Sequence, residues 1–444
     1  MGDRSRCARN SPRPSERGQA LIIILVLLGL VSVLFVFNAL SGVTLTNERN
    51  NITALALAQA KQALIGYAAS DNNRPGSLPC PDSNNGGSAD LFAGSDCPGY
   101  VGGSNVYLGR LPWRTLRLSD LRDGNGERLW YAVSRNFAMN PTCMPNCPLN
   151  SDTLGQLTVT GIEPTSNAVA IIFAPGAPLG SQVRSAATQN TAANYLEGEN
   201  ADGTNSIFTT AANSSTFNDQ VLALTNADFM PAVEQRVARE MMSILQKYKA
   251  ATAALGYNGG AGVYPWADRS DGASDGWSGD AYNHNRFPCT AALPVDWGTS
   301  GTPSLPGWLT NGCTSPVTGW TSVIYYAVAK NRLENSGSIC SNCSASTLTV
   351  TNSSNGIADL CLTGTVPFKC TPTVVSTGSA DLVLITPGSA NAYPRCGSPP
   401  CWPTSNFNPI VGYFADAENS DNSNDNYVVP SSTNYDRNRI YIVR

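Results

Sequence analysis

Histidine is almost missing from this sequence: His284 is the single one in 444 residues. A catalytic triad or a histidine zinc site would rest on it alone. Its setting, Tyr282-Asn283-His284-Asn285, reads as a surface loop. Charge is also scarce, at 14% of residues. No Lys/Arg cluster follows the first eighteen residues and the net charge is −4, which argues against a nucleic-acid partner. No nucleophile elbow, phosphate loop or dinucleotide fingerprint stands in a strand-to-helix setting. Carboxylate pairs such as Asp271 and Asp275 have nothing around them that marks an acid and a base. The expectation is a protein that is not an enzyme.

What is present begins with an uncharged run. From Gln19 to Asn47 no charge occurs for 29 residues, and the strongly apolar part ends near Leu40. At about 1.5 Å per residue a helix of that length crosses the roughly 30 Å hydrocarbon core of a bilayer. Arg4, Arg6, Arg9, Arg13 and Arg17 precede it against Asp3 and Glu16, so the leader stays inside and the remainder is exported. A cleaved secretory signal has an apolar core of about 7 to 15 residues, shorter than this one. A plain signal anchor fits the same physics.

Arg17-Gly18 opening directly into an apolar helix resembles the N-terminus of type IV prepilins and pseudopilins. That resemblance implies cutting by prepilin peptidase between Gly18 and Gln19, with the helix kept as an assembly element. The fifth mature residue is Ile23, where the family usually has Glu. A carboxylate left unpaired in lipid is costly, so a subunit with no neighbour ahead of it does better without one. Large minor pilins and tip pseudopilins share this departure. The expected organisation is a leader at 1–18, a transmembrane and assembly helix at 19–47, and two bodies at 48–225 and 226–444.

The two bodies come from an internal repeat. Leu78-Pro79-Cys80, Leu111-Pro112-Trp113 and Leu129 to Asn136 are answered by Phe287-Pro288-Cys289, Leu305-Pro306-Gly307-Trp308 and Ile324 to Asn331. Ala168 to Gly176 is answered by Ala380 to Gly388, and Asn194 to Asn200 by Gly412 to Asn419. Each copy starts with a helix. In the first, Ala54, Leu55, Leu57, Ala58, Lys61, Leu64 and Ile65 give one face. In the second, Asn226 or Asp228 caps, Pro231 suits the first turn, and Val233, Val237, Met241, Ile244, Leu245 and Tyr248 share one side. Strands are clearest at Gln156 to Ile162, Val169 to Phe173, Leu382 to Ile385 and Ile440 to Val443. The fold expected is α+β: a transmembrane helix followed by two tandem pilin-like domains, each a helix packed on a mostly antiparallel sheet, with local disulfides.

Cys7 lies in the leader. The other twelve cysteines form short-range couples, Cys80/Cys97, Cys143/Cys147, Cys289/Cys313, Cys340/Cys343, Cys361/Cys370 and Cys396/Cys401, which read as disulfides of an oxidising compartment without fixing the connectivity. The CxxC at Cys340 to Cys343 invites a zinc or redox reading. Its alignment with Cys143 to Cys147 favours a repeated clasp.

Three acidic groups offer oxygens for calcium: Asp123 with Glu127; Glu197, Glu199 and Asp202; and, densest, Asp416, Glu418, Asp421 and Asp425. None has the full twelve-residue calcium-loop pattern. Calcium is the one cofactor the sequence suggests, and the tip pseudopilins that the chain resembles bind it. Trp266 and Trp277, in a Gly/Asp/Ser-rich insertion of the second copy, are the candidate contact surface, for a surface glycan or a protein. The function implied is a minor subunit at the tip of a type IV pilus or type II secretion pseudopilus, in assembly initiation or adhesion. Its partners would be the bacterial inner membrane, prepilin peptidase and other pilin-like subunits, with the body in the periplasm or outside the cell. The alternative is an anchored extracytoplasmic binding protein outside any filament.

Overall fold

The computed structural model describes residues 44–90, 97–98, 103–138, 149–267, 284–288, 295–310, 319–333, 347–352, 356–361, 370–388, 426–429 and 439–444. A helix over residues 44–70, α1, opens this part. Its buried stripe is Thr53, Ala56, Leu57, Ala60, Leu64 and Ala68, at the three- and four-residue spacing of one helical face. The face is rotated from the expected one: Leu55 is 71% exposed. Alanines, having no bulk beyond Cβ, let the helix sit close on the sheet beneath.

That sheet comprises β1 (Val106–Arg110), β2 (Trp130–Ser134), β3 (Leu157–Gly161), β4 (Thr165–Ala174), β5 (Ile207–Thr210) and β6 (Gln220–Thr225). Its order is β1-β2-β4-β3-β5, and β6 pairs with β4. β6 runs straight into α2 (Asn226–Ala254). The Asp228 carboxylate accepts from both the backbone N–H and the hydroxyl of Thr225, at 2.7 Å each, which fixes this start. Pro231 falls beyond the first turn, six residues into the helix. All six apolar residues expected on one side of α2 are buried.

The second half contains β7 (His284–Arg286), α3 (Gly307–Thr310), β8 (Tyr325–Val328), β9 (Leu348–Thr351), β10 (Ile357–Cys361), β11 (Cys370–Val374), β12 (Gly378–Ala380), β13 (Leu382–Thr386), β14 (Asn426–Val428) and β15 (Arg439–Val443). Two sheets form there, β11-β10-β15-β13-β8-β7 and β12-β9-β14. α2 touches β4, β6 and β13, and one apolar core runs through both halves.

The expected fold needs correcting. Rather than a transmembrane helix and two tandem helix-on-antiparallel-sheet units, the chain is mixed α/β, with three sheets and few helices among the described residues. Each sheet contains a parallel pair: β3 with β5, β10 with β15, and β9 with β14. Alternating apolar residues reveal a strand but not its direction, and the long connections here allow parallel neighbours. No helix among the described residues is long and apolar enough to cross a membrane. Residues 1–43, with most of the expected span, lie outside them.

The repeat shows in the backbone pairing. Trp130, Tyr131, Ala132 and Val133 oppose Phe173, Ile172, Ile171 and Ala170. Tyr325, Tyr326, Ala327 and Val328 oppose Ile385, Leu384, Val383 and Leu382, in the same register. Leu157-Thr158-Val159-Thr160 of β3 recurs as Leu348-Thr349-Val350-Thr351 of β9. Leu157 opposes Ala168 as Leu348 opposes Ala380, and Val159 opposes Phe208 as Val350 opposes Tyr427. A bulge between Ala168 and Ala170 becomes a break at Asp381, so β4 is matched by β12 and β13 together.

This register moves two of the expected correspondences. Leu78 N donates to Phe137 O at 2.8 Å, and Tyr264 N to Arg332 O at 2.9 Å. The Tyr131 hydroxyl reaches Pro79 O at 3.3 Å, and the Tyr326 hydroxyl reaches Pro265 O at 2.8 Å. Tyr264-Pro265-Trp266 therefore answers Leu78-Pro79-Cys80. Arg110 opposes Trp130 as Arg286 opposes Tyr325, so Phe287-Pro288-Cys289 answers Leu111-Pro112-Trp113. Short Leu-Pro-x strings recur too often for sequence alone to choose between these matches.

Candidate functional site

The part of the molecule most suited to an external task is the neck where α1 leaves the body. Residues 44–52 are exposed all round, among them Leu45 and Ile52 at 54% and 44%. Burial starts at Thr53, whose hydroxyl donates to Arg49 O at 2.9 Å and accepts from Gly124 N at 3.0 Å. A Cβ on Gly124 would lie 2.2 Å from Arg49 O, so only glycine lets the 123–127 turn come this close. Asp123 holds that turn. One oxygen accepts from Asn125 N and Glu127 N at 2.8 and 3.0 Å, and the other from Gly176 N at 2.8 Å. Burial raises the Asp123 pKa although these amides oppose it. On the opposite flank, Lys61 pairs with Asp228 at 2.8 Å. Burial pushes the Asp228 pKa up, but Lys61 and Thr225 outweigh it and bring it below the usual value.

A second polar system clasps residues 176–219 over the outer face of the first sheet. Arg110 is stacked between Trp130 and Tyr195, 4.3 and 3.9 Å from the ring centres, with its pKa lowered to about 10 by burial. Arg184 donates to Asn194 O, Gly176 O and Tyr195 O. Glu197 and Asp219 hold one another's backbone. Glu197 N donates to Asp219 at 2.9 Å, while Asn218 N and Asp219 N donate to Glu197 at 3.1 and 3.2 Å. Asn200 and Gln182 complete the cluster at 3.0 and 2.8 Å. Burial, with the adjoining Glu197 charge, pushes Asp219 up to about 8. The pair therefore favours the protonated form of this acid.

Between the halves lies Glu234 of α2, 1% exposed. One oxygen accepts from the Ser151 hydroxyl, the other from Gly388 N at 3.1 Å. Gly388 corresponds to Gly176, so in each half the turn after the central strand gives its N–H to a buried carboxylate.

The sequence-predicted residues fare unevenly. Gly18, Gln19, Asp416, Glu418, Asp421, Asp425 and Trp277 lie outside the described residues, as do Cys143, Cys147, Cys289, Cys313, Cys340, Cys343, Cys396 and Cys401. Cys80–Cys97 and Cys361–Cys370 are bonded. Trp266 is 5% exposed, in the position held by Cys80 in the first half, so it offers no face to a ligand. His284 stands in β7 opposite Ala327, not in a loop. Asp123 and Glu197 are taken up by backbone amides, and Glu199 and Asp202 bond Asn205 and Thr204. Among the described residues no group of three His, Cys, Asp or Glu could hold a metal ion. Sequence reasoning missed Glu234, although a charge four residues from both Met230 and Ala238, on a buried stripe, is a legible signal. Asp219 carried no such signal, because its partner Glu197 is distant in sequence. No family model, curated protein or solved structure matches the chain.

Proposed function

We propose that the chain is a large minor subunit of a type IV pilus or type II secretion pseudopilus, inserted in the inner membrane through residues 19–47 and cut after Gly18. The observation that carries this reading is the neck. α1 takes up the end of the uncharged run, and its residues 44–52 stay exposed before the helix buries a face from Thr53 onward. The turn at Asp123 and the Lys61–Asp228 pair brace the helix where it docks, as a lever between an anchor and a head requires. Two disulfides suit an oxidising compartment. A tip position, in assembly initiation or adhesion, follows from the bulk of the head and from Ile23. N-terminal sequencing of the protein from membranes tests the reading. A chain beginning at Gln19 is expected, and one retaining Met1 to Gly18 overturns it. Cysteine placed at Leu45 or Leu55 should then crosslink to another pilin-like subunit. A failure to do so with the leader removed would favour a tethered binding protein.

A further inference from the structure

The two halves differ at one edge. In the second half β15 pairs with β13 on one side and with β10 on the other, Asp359 opposite Tyr441 and Leu360 opposite Ile442 in parallel. By the shared register β6 is the counterpart of β15: Ile171 opposes Ala223 as Val383 opposes Ile442. Among the described residues β6 pairs with β4 alone.

The cause is an insertion. β3 and β4 are joined by residues 162–164, whereas β9 and β12 are separated by residues 352–377, which supply the β10–β11 hairpin closed by Cys361–Cys370. Among the described residues the first half has no hairpin to lay beside β6.

The direction of the backbone groups follows from the same register. Val443 O accepts from Asp381 N, so Val443 faces β13 and Ile442 faces β10. At the equivalent place Ala223 O receives the Lys61 ammonium at 3.4 Å, so Ala223, and Val221 two residues before it, turn their N–H and C=O away from β4. Both faces beside this edge are apolar. Leu222 packs on the main core, and Val221 and Ala223 on the outer cluster around Trp130 and Phe173. Among the described residues Lys61 is the side chain that bonds to this edge, and one ammonium is the usual guard against unwanted pairing.

We propose that the outer edge of β6 is a docking site for an extended strand of another polypeptide. That strand runs parallel to β6 as β10 runs parallel to β15 and is apolar on both faces. It adds to the sheet by backbone hydrogen bonds, with Lys61 moving aside. This goes beyond the filament reading and does not depend on the leader being cut.

The test uses the full-length chain in detergent and a synthetic peptide spanning residues 355–363. The peptide carries Cys361→Ser and Asp359→Val, the latter to match Leu222 where the second half has Tyr441. Residue-resolved amide exchange is measured with and without it. The Val221 and Ala223 amides should slow about tenfold at saturating peptide while Leu222 and Leu224, already bonded to β4, stay unchanged. Ala223→Pro, which deletes an outward N–H, should weaken peptide binding about tenfold or more at an unchanged melting temperature. Lys61→Met should strengthen it. Should Ala223→Pro fail to fold, the exchange measurement decides alone. Unchanged exchange at Val221 and Ala223 overturns the proposal. So does protection of both amides in the chain alone that grows with its concentration, which would give the edge to a second copy.

Discussion

The first and second halves are built on one strand scheme, yet they close their outer faces differently. In the first, β4 is long and bulged, so β3 and β5 remain part of one sheet, and residues 192–208 seal the cluster around Trp130, Phe173 and Phe208. In the second, Asp381 stands where the first half has Val169. Its carboxylate is drawn to Arg332 at 2.8 Å and Lys249 at 3.6 Å, and the strand breaks there. The freed portion becomes the sheet β12-β9-β14, which folds onto the other through Tyr427 and Tyr325, rings 6.0 Å apart. One charged residue in a central strand thus accompanies the division of a sheet. Register survives duplication better than sheet continuity, because register is set by which face is apolar and continuity by single positions.

The strongest way to break this comparison is at Ile172 and Leu384, equivalent and fully buried residues of the shared core. Alanine at either should cost about 2 to 5 kcal/mol, and denaturant titration should give similar values for the two. A cost at one position only would mean that the halves are not packed alike. Next comes Glu234, which serves both halves at once. Glu234→Ala leaves Ser151 and Gly388 N without their carboxylate and should cost about 1 to 3 kcal/mol. Near-UV signals from both halves should shift, and loss confined to one half would show that Glu234 is not a joint. A further effect is one of pH and belongs to the first half. Asp219 in the folded chain titrates near 8 against its usual 3.8. The folded state therefore holds this proton more tightly. Its stabilisation is complete below about pH 4 and disappears as pH rises through 8. The melting temperature should fall between pH 5 and 8, and Asp219→Asn should flatten that slope. Asp120 and Asp228, whose pKa values are lowered by their basic partners against the effect of burial, act in the opposite sense and only on acidification below about pH 4.

Much of this was legible in the residues. The stripe of α2, the strands at β3, β4, β13 and β15, and the existence of a repeat all follow from periodicity and recurring strings. The matching of Trp266 to Cys80 did not, because two Leu-Pro-like strings compete for each place and only hydrogen bonds to Phe137 and Arg332 choose between them. The acidic groups misled for a related reason. A carboxylate that caps backbone amides has the same sequence neighbourhood as one awaiting a cation, and Asp123 differs only in where Gly176 lies.

By itself the sequence determined which segments are apolar, where α1, α2 and the strands β3, β4, β13 and β15 fall, that the scheme is repeated and that a long uncharged run precedes it, since all of these are properties of neighbours along the chain. Tertiary structure decided the strand directions, the break at Asp381, the burial of Trp266, the pairing of Glu197 with Asp219 and the open edge of β6. Each of those depends on residues tens to hundreds of positions apart meeting in space, and hydrogen-bond direction and desolvation act only after they have met.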